Sequence, residues 1–270
     1  MGDLDCTITV VDNASSDGSA KMVAAEFPDV TLIASNTNLG FAAANNLVIE
    51  QGREPFVILL NPDTEAEPGS LKRLVDFLLA HRDVGACGPM LLNSDGTIQR
   101  NGTRFPHLLG DILALTGLRR LCQGYWNSKF GHGRTNFDAT CEVDWVSGAC
   151  LAVKREVIDQ VGVLDPRFFM FFEEVEWCHR IRKAGRKVYY VADARVVHHW
   201  MGSVKQSPKK MTAQLFRSQP QYYRMTSGRV ASLAARAIMI LGLAKNYLKY
   251  LGVSIKRQLR LARLPRQIRP

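Results

Sequence analysis

The sequence predicts an α/β protein: an open, mostly parallel sheet flanked by helices, followed by a basic helical tail. Three observations lead there. Short apolar runs alternate with segments of helical period through the first half, the pattern of βα units that feed a parallel sheet. Phe56 to Leu60 is an unbroken apolar run, as expected of a strand buried on both faces. Charge divides sharply at residue 204. Residues 1–204 hold 20 Lys and Arg against all 25 Asp and Glu, whereas the remaining 66 hold 15 Lys and Arg and no acid.

Taken in order, Thr7 to Val11 reads as a strand, and Ser16 or Asp17 caps a helix whose apolar face is Ala20, Val23, Ala24 and Phe27. Val30 to Ala34 is a second strand, and Phe41 to Gln51 a helix ended by Gly52. After the Phe56 to Leu60 strand, Pro68 opens a helix with Leu71, Leu74, Val75, Leu78 and Leu79 on one side. Val84 to Leu92 continues the sheet, and Asn93 to Gly96 is a turn signal. The stretch from Asn101 to Thr140 lacks a clean period and predicts a long excursion with one helix near Ile112 to Leu121. Regular structure resumes over Val143 to Val153, where Trp145, Ser147 and Gly148 precede a strand, and continues with helices over Arg155 to Val161 and from Glu173. Strands follow near Val188 to Val191 and Arg195 to His198.

Composition excludes several classes. With 46% apolar and 22% charged residues, the 270-residue chain is neither disordered nor fibrous. Six cysteines without a CxxC pair suggest neither a zinc site nor a disulfide frame, but reduced, buried thiols in a cytosolic setting. The N-terminal residues do not read as a signal peptide. In the tail, Arg236, Lys245 and Lys249 interrupt the apolar stretch before it is long enough to span a bilayer. No GxGxxG follows a strand, which argues against a dinucleotide oxidoreductase.

Polar residues sit where strands end, the place where open α/β sheets bind ligands. VVDNASSDGS puts Asp12 and Asn13 between a strand and a helix; it reads either as a capped loop or as a nucleotide contact with Asp12 accepting hydrogen bonds. LLNPDT ends the most apolar strand with a carboxylate. Pro62 cannot continue a ladder, so Asp63 enters a loop where it could share a divalent ion with a diphosphate, while Asn61 also reads as a turn amide. Glu173, Glu174 and Glu176 follow an aromatic run, where like charge and burial raise carboxylate pKa values; the alternative is an acidic helix N-terminus complementing the dipole. Trp145 reads equally as core. His198, and less so His199, follow a β-rich segment and read either as structural residues or as ligands.

Together, VVDNASSDGS, NTNLGFAAANN, LLNPDT, VSGACLAVKREV, GVLDPRFFMFFEEVEWCHRIRKAG and VVHHWMGS occur in the order seen in family 2 glycosyltransferases. The resemblance covers roughly residues 7 to 203 and is closest to bacterial rhamnosyltransferase-like members. It implies a GT-A fold, a dTDP- or UDP-linked sugar donor, Mg²⁺ or Mn²⁺, and transfer with inversion at the anomeric carbon. By the same resemblance, Asp12, Asn13, Asn38, Gly40, Asn45, Asn61 and Asp63 belong to the donor side. Asp63 matches the last acid of the family's DxD, with Asn61 in place of the first. Asp63 and His198 would approach the metal. Trp145, Gly148, Glu173 and Glu176 fall on the acceptor side, and Glu174 stands where the family's catalytic base is usually Asp.

The expected division is a transferase domain over 1–203 and an amphipathic tail over 204–270, which would hold the protein at the cytoplasmic face of an anionic membrane. The implied acceptor is a saccharide, free or polyprenyl-linked, in cell-wall or surface polysaccharide assembly; no nucleic-acid motif is present. The family pattern also opens with a strand and helix ahead of the VVDN strand, so a sheet short of one βα unit is expected. A catalytically inactive remnant that binds membrane or a partner protein is the alternative function.

Overall fold

A computed structural model describes residues 4–99, 101, 102, 104–118, 137–199 and 208–262. The expected tail residues 204–207 and 263–270, and Cys122, lie outside the described residues. The chain forms two compact units: Met1–Phe105 with Cys122–Ser218, and Pro106–Leu121 with Gln219–Pro270.

Among the described residues, the first unit carries nine strands in two sheets. β1 (Thr9–Asn13) and β2 (Thr31–Ser35) pair in parallel as a separate two-stranded sheet, Thr9 opposite Thr31 and Asn13 opposite Ser35. The main sheet has the order β3 (Phe56–Leu60), β8 (Cys150–Lys154), β5 (Val84–Leu92), β9 (Lys187–His198), β4 (Thr64–Ala66). The short β6 (Ile98–Gln99) pairs with β5, and β7 (Cys141–Val143) with β9. Among the described residues, only β5 and β9 run parallel within it; the β3–β8, β8–β5, β4–β9, β5–β6 and β7–β9 pairs are antiparallel. The α/β class stands, but the sheet is mixed rather than mostly parallel. Beyond residue 140 the chain enters this sheet through β7 and then β8, each antiparallel to its neighbours.

Two further differences have plain causes. The Phe56 to Leu60 strand is where the apolar run puts it, yet only Leu59 is buried and Leu60 is exposed. It terminates the seven-stranded order, so one of its edges has no ladder partner among the described residues. The strand expected after Trp145, Ser147 and Gly148 is β8, and the Asp144 to Ala149 segment separates it from the short β7. Conversely, the two strands expected after residue 187 are one continuous β9, with register shifts against β5 between Val84 and Ala86 and between Pro89 and Met90.

Helices α1 (Ser19–Glu26), α2 (Phe41–Ile49), α3 (Ser70–Ala80), α5 (Arg155–Val161) and α6 (Glu173–Lys183) flank the strands, with α4 (Leu108–Thr116) in the second unit. α1 buries none of its expected apolar face, and Phe27 beyond its end is half exposed. α3 buries Leu74 and Leu78 against Val84, Cys87, Val191 and Val196, while Leu79 points away from that core. α6 buries Val175, Trp177, Cys178 and Ile181, and Trp177 and Ile181 join Leu151, Val153 and Tyr190 in the larger core. Cys87, Cys150 and Cys178 are buried free thiols as expected, whereas Cys6 is exposed.

The tail is helical: α7 (Pro208–Thr226) and α8 (Gly228–Ala262). In the second unit α8 packs on α4, where Ala114 and Leu115 face Ile238, Met239 and Gly242 across a cavity of about 300 Å³. Asp111 of α4 accepts hydrogen bonds from Gln219 Nε2 (3.0 Å) and the buried Tyr223 hydroxyl (2.6 Å).

Candidate active site

The end of β1 is tied to the start of α2 by side-chain amides. Asp12 is buried at the strand's carboxyl end, and its Oδ2 accepts the Ser15 N–H at 3.2 Å. Asn13 is committed to the framework: its Oδ1 accepts the Leu39 N–H (2.7 Å) and its Nδ2 donates to the Gly40 carbonyl (3.1 Å). Asn38 Oδ1 accepts the Gly40 N–H at 3.0 Å, and Asn45 Nδ2 donates to the Phe41 carbonyl at 2.8 Å. Gly40 has φ +82°, and a Cβ there would run into the Phe169 carbonyl oxygen. That close approach lets the Phe41 N–H donate to the same oxygen at 2.8 Å, which joins the helix start to the aromatic run ahead of the acids.

On the other side of the site, Asn61 follows β3 and its N–H donates to the Ala149 carbonyl (2.9 Å), and the Thr64 hydroxyl closes the turn onto the Asn61 carbonyl at 2.7 Å. This turn presents Asp63 to the end of β9. Asp63 Oδ1 lies 3.4 Å from His198 Nε2, and the Asp63 carbonyl accepts the His199 N–H at 2.9 Å. Gln99 fixes the state of His198. Its Nε2 donates to the His198 carbonyl (2.6 Å), so its Oε1 faces His198 Nδ1 at 3.0 Å and requires a proton there. Burial holds the His198 pKa below its ordinary value against the pull of Asp63. A neutral ring with Nδ1 protonated turns the Nε2 lone pair toward a carboxylate oxygen, so two acceptors face each other. This donor set suits a divalent cation. His199 is spoken for by Glu65 Oε1 and the Ser94 hydroxyl, both at 2.9 Å.

The acids begin α6. Phe171 and Phe172 both take positive φ, +68° and +72°, an uncommon conformation for bulky residues that turns the chain sharply into the helix. Glu173 and Glu174 each have one buried carboxylate oxygen without a hydrogen-bond partner among the described residues. Burial, with Glu174 adding like charge, pushes Glu173 well above the ordinary carboxylate range. Burial also raises Glu174 to about 7, against the backbone N–H groups of Glu174, Val175 and Gly148 that favour its anion. Gly148 is needed here for space: a Cβ would sit 3.1 Å from the Phe41 ring and 3.7 Å from Glu174 Cβ. Glu176 is separate from this pair. It is gripped by Arg180, with Nε 2.9 Å from both carboxylate oxygens and Nη2 2.8 Å from Oε2, and Arg180 also bonds the Val161 and Val163 carbonyls.

The structure therefore strings Asn13, Gly40, Phe41, Gly148 and Glu174 together, with Asn61 joined through Ala149. Trp145 lies half-buried, its indole N–H donating to the Arg104 carbonyl at 3.2 Å. Four further residues belong to this framework: Phe169 and Asn46 lie inside the quoted motifs, Asn46 Nδ2 donating to the Leu164 carbonyl (2.7 Å), whereas the motifs leave out Gln99 and Asn101. The last bridges the Pro89 carbonyl and the Ser147 N–H at 2.7 Å each.

The profile of glycosyl transferase family 2 matches residues 2–162. The chain belongs to this family. An N-acetylglucosaminyl-diphospho-decaprenol L-rhamnosyltransferase of Mycobacterium tuberculosis is 32% identical over 214 residues, 75% of this chain and 69% of that protein. The dTDP-rhamnosyl transferase RfbF of Shigella flexneri is 25% identical over 205 residues, 72% of this chain and 60% of that protein. A crystal structure of GalNAc-T7 with UDP, GalNAc and Mn²⁺ superposes with a TM-score of 0.51 at 15% identity, over 72% of this chain and 38% of that one. The protein is a glycosyltransferase of GT-A fold. No helix among its described residues is long and apolar enough to cross a membrane.

Proposed function

We propose that this glycosyltransferase moves L-rhamnose, with inversion, from a dTDP- or UDP-linked donor to a saccharide acceptor on a polyprenyl diphosphate, in cell-wall or surface polysaccharide assembly. The rhamnosyltransferase relatives and the decaprenol-linked acceptor in the name of one of them support the sugar and the carrier. The observation that carries the reading is Glu174: a carboxylate with one oxygen buried and unpartnered, its pKa raised to about 7, beside Gly148 and the start of α2. That is a general base poised near neutral pH, which takes the proton of the acceptor hydroxyl as it attacks the anomeric carbon.

Asp12 binds the base or ribose, while Asn38, Gly40 and Asn45 line the donor and Asn13 and Asn61 hold the two loops in place. Asp63 and His198 would hold Mg²⁺ or Mn²⁺, which when bound supplies positive charge to the departing diphosphate. Trp145, Gly148 and Glu173 border the acceptor, and Glu176 anchors α6 through Arg180. The basic tail keeps the enzyme on an anionic membrane, where such an acceptor resides. The test is transfer from dTDP-L-rhamnose to a polyprenyl-diphosphate N-acetylglucosamine, followed by mass spectrometry of the product. Wild type is expected to add one deoxyhexose, and Glu174→Gln to lose on the order of 10²- to 10⁴-fold in rate while donor affinity by calorimetry stays. Normal turnover by Glu174→Gln, or no transfer by the wild type from any nucleotide sugar, overturns the reading.

A further inference from the structure

Among the described residues, the second unit leaves one face of its longest helix uncovered. On α8, Val230, Leu233, Ala237, Ile240, Ala244 and Tyr247 recur at alternating spacings of three and four residues, which aligns them in a single stripe. All six are exposed, Val230 at 82%, Leu233 at 65%, Ile240 at 61% and Tyr247 at 63%. The stripe lies opposite the side that meets α4, since Ile238, Met239 and Gly242 line the contact with Leu115 while Ala231 and Ala235 are buried. At 100° per residue, Arg229 and Arg236 fall along one border of the stripe. Both are exposed.

The electrical character of the unit decides what covers this face. Residues 106–121 and 219–270 contain 13 Lys and Arg and a single acid, Asp111. Asp111 accepts from Gln219 and Tyr223 within the unit. A second copy would bring the same positive charge to the contact, with no acids to pair across it, so the spacing that would suit a coiled coil is opposed by repulsion. An apolar stripe bordered by arginines on a helix of 35 residues matches the anionic headgroup and acyl boundary of a bilayer, with the guanidinium groups at headgroup level.

We infer that α8 lies in the plane of an anionic membrane and inserts the Val230, Leu233, Ile240 and Tyr247 face into it. This deepens, and rests on, the reading that the tail attaches the enzyme to membrane; what it adds is that apolar insertion by one face, and not charge alone, provides the hold.

The test is cosedimentation of the full chain with phosphatidylglycerol and with phosphatidylcholine vesicles. Leu233→Ala with Ile240→Ala changes no charge, keeps a strong helix former and touches only exposed positions. It is expected to lower partitioning onto anionic vesicles on the order of tenfold or more, with circular dichroism and transfer to a soluble acceptor unchanged. Arg229→Gln with Arg236→Gln is expected to lower it as well and to flatten its salt dependence. Binding that ignores the alanine pair but follows charge and salt overturns the inserted face and leaves the membrane attachment standing. Absence of wild-type binding to anionic vesicles overturns both. A wild-type mass of two copies by light scattering that the alanine pair reduces to one assigns the stripe to self-association and overturns the inference.

Discussion

Replacing Glu174 by Gln should make the protein more stable and less active at once, and the stability half of that statement can be worked from the site. The folded state raises this carboxyl from 4.5 to about 7 because burial disfavours its anion. At 1.36 kcal/mol per unit, a shift of that size is about 3 kcal/mol of differential stability. The sign follows from proton counts. Between the two pKa values the folded state holds the proton more tightly than the unfolded chain, so stability falls as pH rises from about 4.5 through 7, and the full penalty is present above 7. Gln has the shape of the neutral acid and an amide oxygen to accept the backbone N–H groups, but no charge to bury. Glu174→Gln is therefore expected to unfold in urea at a higher midpoint than wild type at pH 8, by about 3 kcal/mol, with the difference vanishing near pH 4.5. A difference that is independent of pH, or a variant weaker than wild type at pH 8, refutes the reasoning. The catalytic counterpart is a rate that rises through pH 7 to a plateau as the base loses its proton.

Other expectations follow from the same geometry. Asp63→Asn should abolish the Mn²⁺-dependent part of donor binding in calorimetry, since it leaves His198 Nε2 without its carboxylate partner; retained metal dependence removes Asp63 from that role. Gly40→Ala places a Cβ against the Phe169 carbonyl at φ +82°, so about 1–3 kcal/mol of stability and most donor affinity should go together, read by thermal shift with and without UDP. Glu176→Ala strands Arg180 in a largely buried setting and should cost about 3–5 kcal/mol in urea unfolding while leaving the pH profile of transfer in place; a moved profile would mean that Glu176 belongs to the chemistry.

Where the sequence could be read, the reason was local. The apolar run at Phe56 to Leu60, the Val84 to Leu92 strand, and the start of the helix at Glu173 coincide with the observed elements, because periodicity and charge act within a few residues. Burial was less legible. Phe56 to Leu60 has the composition of a central strand and sits at an edge, since its position depends on which strands lie beside it. The Glu176–Arg180 pair is an ordinary i, i+4 spacing that sequence alone contains. Reading the three acids as one cluster obscured it, and the helix separates Glu176 from the other two. Gln99 and Asn101 fall at the start of an aperiodic excursion, and their partners are up to 99 residues away in sequence. No pattern within a window of residues can announce a contact made across the fold.

The separation of β1 and β2 from the main ladder has a consequence for how a nucleotide is gripped and let go. Asp12 stands on a two-stranded layer that buries little apolar surface and is joined to α2 chiefly through the Asn13 amide. Such a layer opens at a lower free energy than the buried β5, β8 and β9, so its amides should exchange with solvent sooner. A donor that closes on Asp12 must then also order the element that presents it. On the role proposed for Asp12, donor affinity would contain a local folding cost, and the spent nucleotide would leave as that layer loosens, with the sheet that holds Asp63 and the helix that holds Glu174 undisturbed.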